Sequence, residues 1–416
     1  MAADAPRQCV PLTCHGHSRP VPHIGFSGLQ KDGGYYLISA CKDNNPMLRD
    51  GQTGDWIGTF IGHKGAVWQA RLSHDASSAA TASADFTAKV WDPHTGECQY
   101  TISHNHIVRA VAYPPDSSDL LATGGYEKKL RIFDLSEASA SAPPVAVENG
   151  DGKAQDGVTI KAESGFEIGA GKHQASIKFI VWTRDSNILV TAAGNTLRWF
   201  DLPSRSVIKE EVLDGEIGSC EFNAPAPELI ENSDIGDGLP VLAVAAGKTV
   251  YFWGGAQAMD ELKRTQLGYK VASVAVDTKG RRFIVGEDTP STWARVHRWE
   301  DDSEYDVHKG HHGPVWSLAY APDNKLYATA SEDGTIKLWK NCDGPYGLWR
   351  LVSNSILGQS LEKSGSLDMI YAEATKGDWA VMHKKMPENE LCHPSGDIKP
   401  KPLTWAGVAR KVASLG

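Results

Sequence analysis

The segment TASADFTAKVWD, residues 81–92, closes on an alternating apolar run followed by an aromatic residue and an Asp. Similar endings recur as KLRIFD (129–134), TLRWFD (196–201), KTVYFWG (248–254), ARVHRWE (294–300) and TIKLWK (335–340), with a weaker copy in PMLRD (46–50). Taking the aromatic as a marker gives Arg49 in the weak copy, then Trp91, Phe133, Phe200, Trp253, Trp299 and Trp339. These are 42, 42, 67, 53, 46 and 40 residues apart. Four of the six steps match the length of one four-stranded blade of a radial repeat fold. Within the copies, Leu130 and Ile132, Val250 and Phe252, and Ile336 and Leu338 share one side of a strand, while the marker aromatic occupies the other. A strand apolar on both sides suits a sheet sandwiched between two neighbouring sheets. The pattern predicts an all-β chain, a seven-bladed WD-repeat β-propeller.

A second landmark precedes each marker. Gly-His or a variant of it occurs at Gly16-His17, Gly62-His63, Ser103-His104, Lys172-His173 and Gly310-His311, and an acid stands six residues before the marker at Asp43, Asp85, Glu127 and Asp333. Blades two and seven hold the whole set: His63, Thr81 or Ser83, Asp85 and Trp91, then His311, Thr329 or Ser331, Asp333 and Trp339. A His, a hydroxyl and an Asp invite comparison with a hydrolytic triad. Catalysis needs one such constellation with an oxyanion hole, whereas this one repeats with the blade period. The better reading is a polar network that satisfies buried groups inside each blade. Blade four has Gly194 where the acid belongs and blade five has no Gly-His, so blades four to six form the irregular side.

The chain has 416 residues, a formal charge of −9 and 41% hydrophobic residues, an ordinary balance for a folded protein. That charge disfavours non-specific nucleic-acid binding. Seven scattered cysteines without a CxxC pair suggest neither a disulfide framework nor a zinc site, and no cofactor or metal is expected. The N-terminus has no signal-peptide pattern, and no apolar run is long enough to span a membrane. The expected compartment is therefore the cytoplasm, with the nucleus as a second. The propeller is assigned to residues 8–351. Gln8–Cys14 supplies the strand that closes the last blade, and 136–165, rich in Ala, Ser, Pro and Gly, is expected to be a flexible insertion. Residues 352–416 form a C-terminal extension. Its last forty or so residues are mildly basic, and TWAGVARKVASLG (404–416) is a candidate short helix.

Propellers present partners with the loops around the central channel. Five residues after each histidine the inner strand emerges near that face, at Pro22, Trp68, Arg109, Lys178 and Trp316. Lys42, Tyr126 and Glu332, just before the turn acids, should approach it too. Trp, Tyr and Arg dominate the energetics of protein interfaces. The set Lys42, Trp68, Arg109, Tyr126, Lys178, Trp316 and Glu332 is accordingly the expected partner-binding face.

The runs MLRDGQTGDWIGTFIGHKGAVWQA (47–70), LATGGYEKKLRIFDL (121–135), SEDGTIKLW (331–339) and YGLW (346–349) are more specific than the repeat. On these the chain resembles the serine/threonine kinase receptor-associated protein family, from residue 11 to about 351. The resemblance implies a non-enzymatic adaptor that assembles RNA–protein complexes. In that family the partners are Gemin subunits of the SMN complex, which loads Sm proteins onto spliceosomal small nuclear RNAs. Protein partners are thus expected, with direct RNA binding a lesser reading and no membrane or small-molecule substrate. A more distant resemblance is to the WD-repeat subunit of translation initiation factor three, the alternative function. Unlike the acidic tails of the compared relatives, this tail is basic, so the family's tail-borne contacts are not carried over.

Overall fold

The computed structural model describes residues 10–136, 157–223, 226–231, 233–289 and 291–343, together with 346, 348 and 349. Residues 1–342 form one compact unit and 343–416 a second, of which only four residues are described. The C-terminal extension and its candidate helix therefore lie outside the described residues, as do Gln8 and 137–156.

Seven antiparallel sheets follow one another along the chain, one per predicted blade. Blade one comprises His23–Phe26, Tyr36–Ala40, Met47–Asp50 and Trp56–Thr59; blade two Val67–Leu72, Ala79–Ser83, Thr87–Trp91 and Cys98–Ser103. Blade three is built from Val108–Ala112, Leu120–Gly125, Leu130–Asp134 and Phe166–Ile168, and blade four from Ile177–Trp182, Ile188–Ala193, Thr196–Asp201 and Ser206–Val212. Blade five has Ile217–Phe222, Leu242–Ala246, Thr249–Gly254 and Asp260–Gln266; blade six Lys270–Asp277, Arg282–Thr289, Ala294–Arg298 and Glu304–His308. In blade seven, Val315–Tyr320, Leu326–Ser331 and Ile336–Lys340 are completed by the N-terminal strand Leu12–Cys14. Leu12 faces Leu338 and Cys14 faces Ile336.

The core lies between blades rather than within them. One apolar cluster joins Ile38 and Leu48 of blade one to Val67, Ala70 and Trp91 of blade two. Another joins Trp199 of blade four to Tyr251 and Trp253 of blade five. Inner strands are also cross-tied. Ser317 accepts the Ile24 amide from blade one, Gln69 accepts that of Val111, and Ser219 that of Val274.

The polar networks form as closed chains. The Trp91 indole N–H donates to Thr81 Oγ1 at 2.8 Å, Thr81 meets His63 Nε2 at 2.6 Å, and His63 Nδ1 meets Asp85 at 2.8 Å. With Asp85 as acceptor, Nδ1 carries the proton and every donor in the chain points the same way. Blade seven repeats this through Trp339, Thr329, His311 and Asp333, at 2.9, 2.7 and 3.0 Å. The hydroxyl that meets the histidine is therefore Thr81 in blade two and Thr329 in blade seven, which decides the choice left open with Ser83 and Ser331. Those serines have other partners. Each donates to the loop after the histidine, Ser83 to the Gly65 carbonyl and Ser331 to that of Gly313, and each accepts the amide of its acid.

Two expectations are corrected. The blade-six marker is His297, not Trp299. His297 pairs with Phe283 where Trp339 pairs with Tyr327, while Trp299 lies past the strand end against Phe252 of blade five. The insertion 136–165 is not flexible throughout. Val158–Lys161 adds a fifth, parallel strand to blade two beside Cys98–Ser103 before the chain returns to blade three. Ile160 packs against the core there, and Gly157 passes so close that a Cβ would sit 2.2 Å from the Gln99 carbonyl.

Two outcomes follow. Deleting the chain through Cys14 exposes the edge of blade seven and should lower the melting temperature by roughly 5–10 °C, a few kcal/mol for a domain this large. A scanning-calorimetry trace that does not move would show that closure contributes nothing. Thr81→Val strands both the indole N–H and the imidazole, costing about 2–4 kcal/mol in urea denaturation, whereas Ser83→Ala costs about 1 kcal/mol. The reverse order would return the network role to Ser83.

Candidate functional site

The inner strands place their first residues around one mouth of the central channel. A cavity of about 280 Å³ opens there, and its lining includes Lys42, Trp68, Arg109, Lys178 and Trp316. Five of the seven residues expected on the partner-binding face are thus brought together from blades one, two, three, four and seven. The other two adjoin them electrostatically. Tyr126 lies close enough to perturb Arg109, and Glu332 acts in the same way on Lys42.

The arrangement is a stack of cations and aromatic rings. The Lys42 ammonium sits 4.3 Å from the Trp316 ring centre and 5.1 Å from that of Trp68, while the Arg109 guanidinium covers Trp68 at 3.9 Å. Burial lowers the pKa of Lys42; Glu332 partly offsets this and Arg109 adds to it. Burial likewise lowers that of Arg109. Among the described residues, neither cation forms an ion pair with a carboxylate. Lys178 does, meeting Glu216 at 2.5 Å, which makes it a paired group.

Sequence reasoning missed several neighbours. Lys270 and Asp288 pair at 2.5 Å on the blade-six side of the mouth, where no Gly-His flagged the strand. On the rim between blades two and three, Phe86, His106 and Tyr126 form an exposed ring stack, with centroids 5.5 and 5.2 Å apart. Phe86 has φ +70°, at the turn position that Gly334 fills in blade seven with φ +81°. Asn44 in blade one and Lys128 in blade three share this conformation, so the φ belongs to the repeated turn, and what is unusual is a bulky residue placed there. The residue after the turn acid was the signal available for finding it.

Deeper in the channel, Arg71 of blade two grips both Glu221 oxygens of blade five at 2.6 and 2.7 Å, and His23 of blade one meets the same carboxylate at 3.0 Å. Burial opposes ionisation of Glu221, yet Arg71 and His23 prevail and its pKa is lowered. Blades far apart in sequence are thereby bridged across the axis.

The histidine sets offer little room for other chemistry. In blade one, His17 bonds Asp43 at 3.1 Å and Ser39 at 2.8 Å. Cys41 completes a group of potential metal ligands there, but both imidazole nitrogens are already spent. Burial works against the Asp43 carboxyl, but His17 and backbone amides hold it down at about 2. Blade four keeps His173 bonded to Thr191 at 2.8 Å with Gly194 in place of the acid. Burial, unopposed by a carboxylate and reinforced by Arg198, lowers His173 to about 4. Among the described residues, no helix is long and apolar enough to cross a membrane.

These features define a WD-repeat β-propeller whose exposed chemistry is a surface for interaction. The WD domain, G-beta repeat model matches residues 54–92, 96–134 and 303–340. Each match starts on or near the outermost strand of one blade and ends in the next, so the sequence repeat is offset from the sheet. The chain is 38% identical over 343 residues to the serine-threonine kinase receptor-associated protein of Gallus gallus, covering 82% of this chain and 86% of the relative. The Dictyostelium discoideum protein of that name is 36% identical over 332 residues, 79% of this chain and 98% of its own. More distantly, eukaryotic translation initiation factor 3 subunit I of Caenorhabditis briggsae is 24% identical over 344 residues, 79% and 95%. The chain belongs to the serine-threonine kinase receptor-associated protein family.

His173 sets a pH dependence. The unfolded histidine titrates near 6.5 and the folded one near 4, so the unfolded state takes up its proton first as pH falls. Its contribution is complete above pH 6.5 and is lost on descent towards pH 4. Melting temperature should fall across that window, and His173→Gln should flatten part of the slope; an identical slope in the variant would discard this assignment.

Proposed function

We propose that this protein is a non-enzymatic adaptor of RNA–protein assembly that holds protein partners on the face around the channel mouth. The observation supporting this most is the mouth itself, where rings and cations from five blades converge in a family of WD-repeat scaffolds. Both histidine nitrogens and the threonine hydroxyl of the repeated triad serve the fold, leaving it no role for a substrate. The proposed partners are SMN- and Gemin-type or other RNA-processing proteins, met in the cytoplasm and also in the nucleus. The initiation-factor reading rests on relatives of much lower identity.

Affinity purification of the tagged chain with quantitative mass spectrometry checks the reading. Sm and Gemin-type proteins are expected, and Arg109→Glu should reduce their recovery at least fivefold without changing the melting temperature. Stoichiometric initiation-factor subunits in their place would overturn it. Lys178 is unsuitable for such a reversal, since a glutamate there would face Glu216.

A further inference from the structure

One side of the mouth is an array of hydrogen-bond donors without acceptors. The Trp68 indole Nε1, the Gln69 amide Nε2 and the Arg109 Nε are all buried, and among the described residues none of the three has a partner. All three residues line the same cavity. Gln69 is only 1% exposed, and its carbonyl is committed to the Val111 amide, which fixes the orientation of its NH₂ group. Buried donors left unmatched are destabilising, so three around one cavity mark a place that an acceptor fills. Beside them stand Lys42 and Arg109, the two mouth cations without a carboxylate.

We propose that this corner of the mouth seats a single carboxylate side chain, Asp or Glu, presented by an extended segment of a partner protein. The inference rests on the adaptor reading and supplies the chemistry of the partner. A carboxylate offers two oxygens and about four acceptor sites, enough for the indole, the amide and the guanidinium together. The Lys42 ammonium, already beside the Trp68 and Trp316 rings, then lies next to the incoming charge. Residues flanking the acid then run outward over Tyr126, His106 and Phe86, the exposed ring stack on the adjoining rim.

The same observations disfavour RNA as the occupant. The Trp68 ring is already covered by Arg109 and approached by Lys42, so a base finds little ring face on which to stack. Glu216 and Asp288 lie in the cavity wall, and the charge of Glu332 acts on Lys42. These carboxylates repel a row of phosphates but tolerate one anion placed between the two unpaired cations.

The test pans a random dodecapeptide phage library on the full chain and measures the selected peptides by fluorescence anisotropy. Selected peptides should share an Asp or Glu, and its replacement by Asn or Gln should weaken binding at least tenfold. Trp68→Phe keeps the ring but removes the N–H, and should weaken the same peptides at least fivefold at an unchanged melting temperature. Trp56→Phe, at an exposed tryptophan elsewhere, should have no effect. The proposal is overturned by an empty selection, by peptides that tolerate loss of the acid, or by binding indifferent to Trp68→Phe. It is equally overturned if a fluorescein-labelled twelve-residue oligouridylate binds more tightly than any peptide and loses that binding with Trp68→Phe. Peptide selection uses no cellular partner, so its failure leaves the co-purification result standing, and the converse also holds.

Discussion

A four-stranded blade whose two faces are both apolar has no stable existence alone. Its Trp, Phe and Ile side chains leave water only when another blade lies on each side, and the clusters that unite blades one with two and four with five are that requirement met locally. An array of such units ends in two exposed faces unless it curves into a ring. The ring in turn needs a joint, and here it is the pairing of Leu12–Cys14 with Ile336–Lys340, which brings the first and last described strands into one sheet. Inter-blade packing, the position of the channel and the convergence of side chains at its mouth all depend on that closure.

The histidine networks act at a finer level. A chain of aligned donors from Trp91 through Thr81 and His63 to Asp85 fixes the loop before a blade against its second and third strands. Blades five and six show that the network is one solution among several. Blade five carries Leu213 in its core and ties Tyr251 to Asp214, while blade six joins Tyr269 to His297. Apolar packing replaces a fully satisfied polar network at little cost, whereas a half-satisfied one is expensive. Blade four stands between these cases, and its histidine, deprived of an acid, is correspondingly hard to protonate.

At the mouth the balance differs. Stability would be served by pairing every cation there, as Lys178 and Lys270 are paired. Lys42 and Arg109 instead lie against tryptophan rings, and among the described residues the donors near them have no acceptor. Together with the exposed rings of Phe86 and Tyr126, this is a surface whose side chains are not accounted for by the fold alone.

The sequence by itself determined the number of blades, their order and the N-terminal closure, because a period near forty residues and an apolar alternation follow from local chemistry. It also placed Trp68, Arg109, Lys178 and Trp316 on one face, since an inner strand starts at a constant distance from each histidine, and Lys42 beside them because it precedes the turn acid Asp43. Where the histidine or the acid is missing that ruler fails, and Trp299 was taken for the marker in place of His297. Two choices were beyond it altogether. Thr81 and Ser83 are both hydroxyls two residues apart on one strand, and only the three-dimensional path of the loop decides which of them meets His63. The parallel strand Val158–Lys161 lies in a segment whose flanking composition reads as a loop, and only the open edge of blade two gives it a partner. Likewise, Arg71, Glu221 and His23 meet across the axis because the ring closes, a contact between residues up to 198 positions apart that no local pattern encodes.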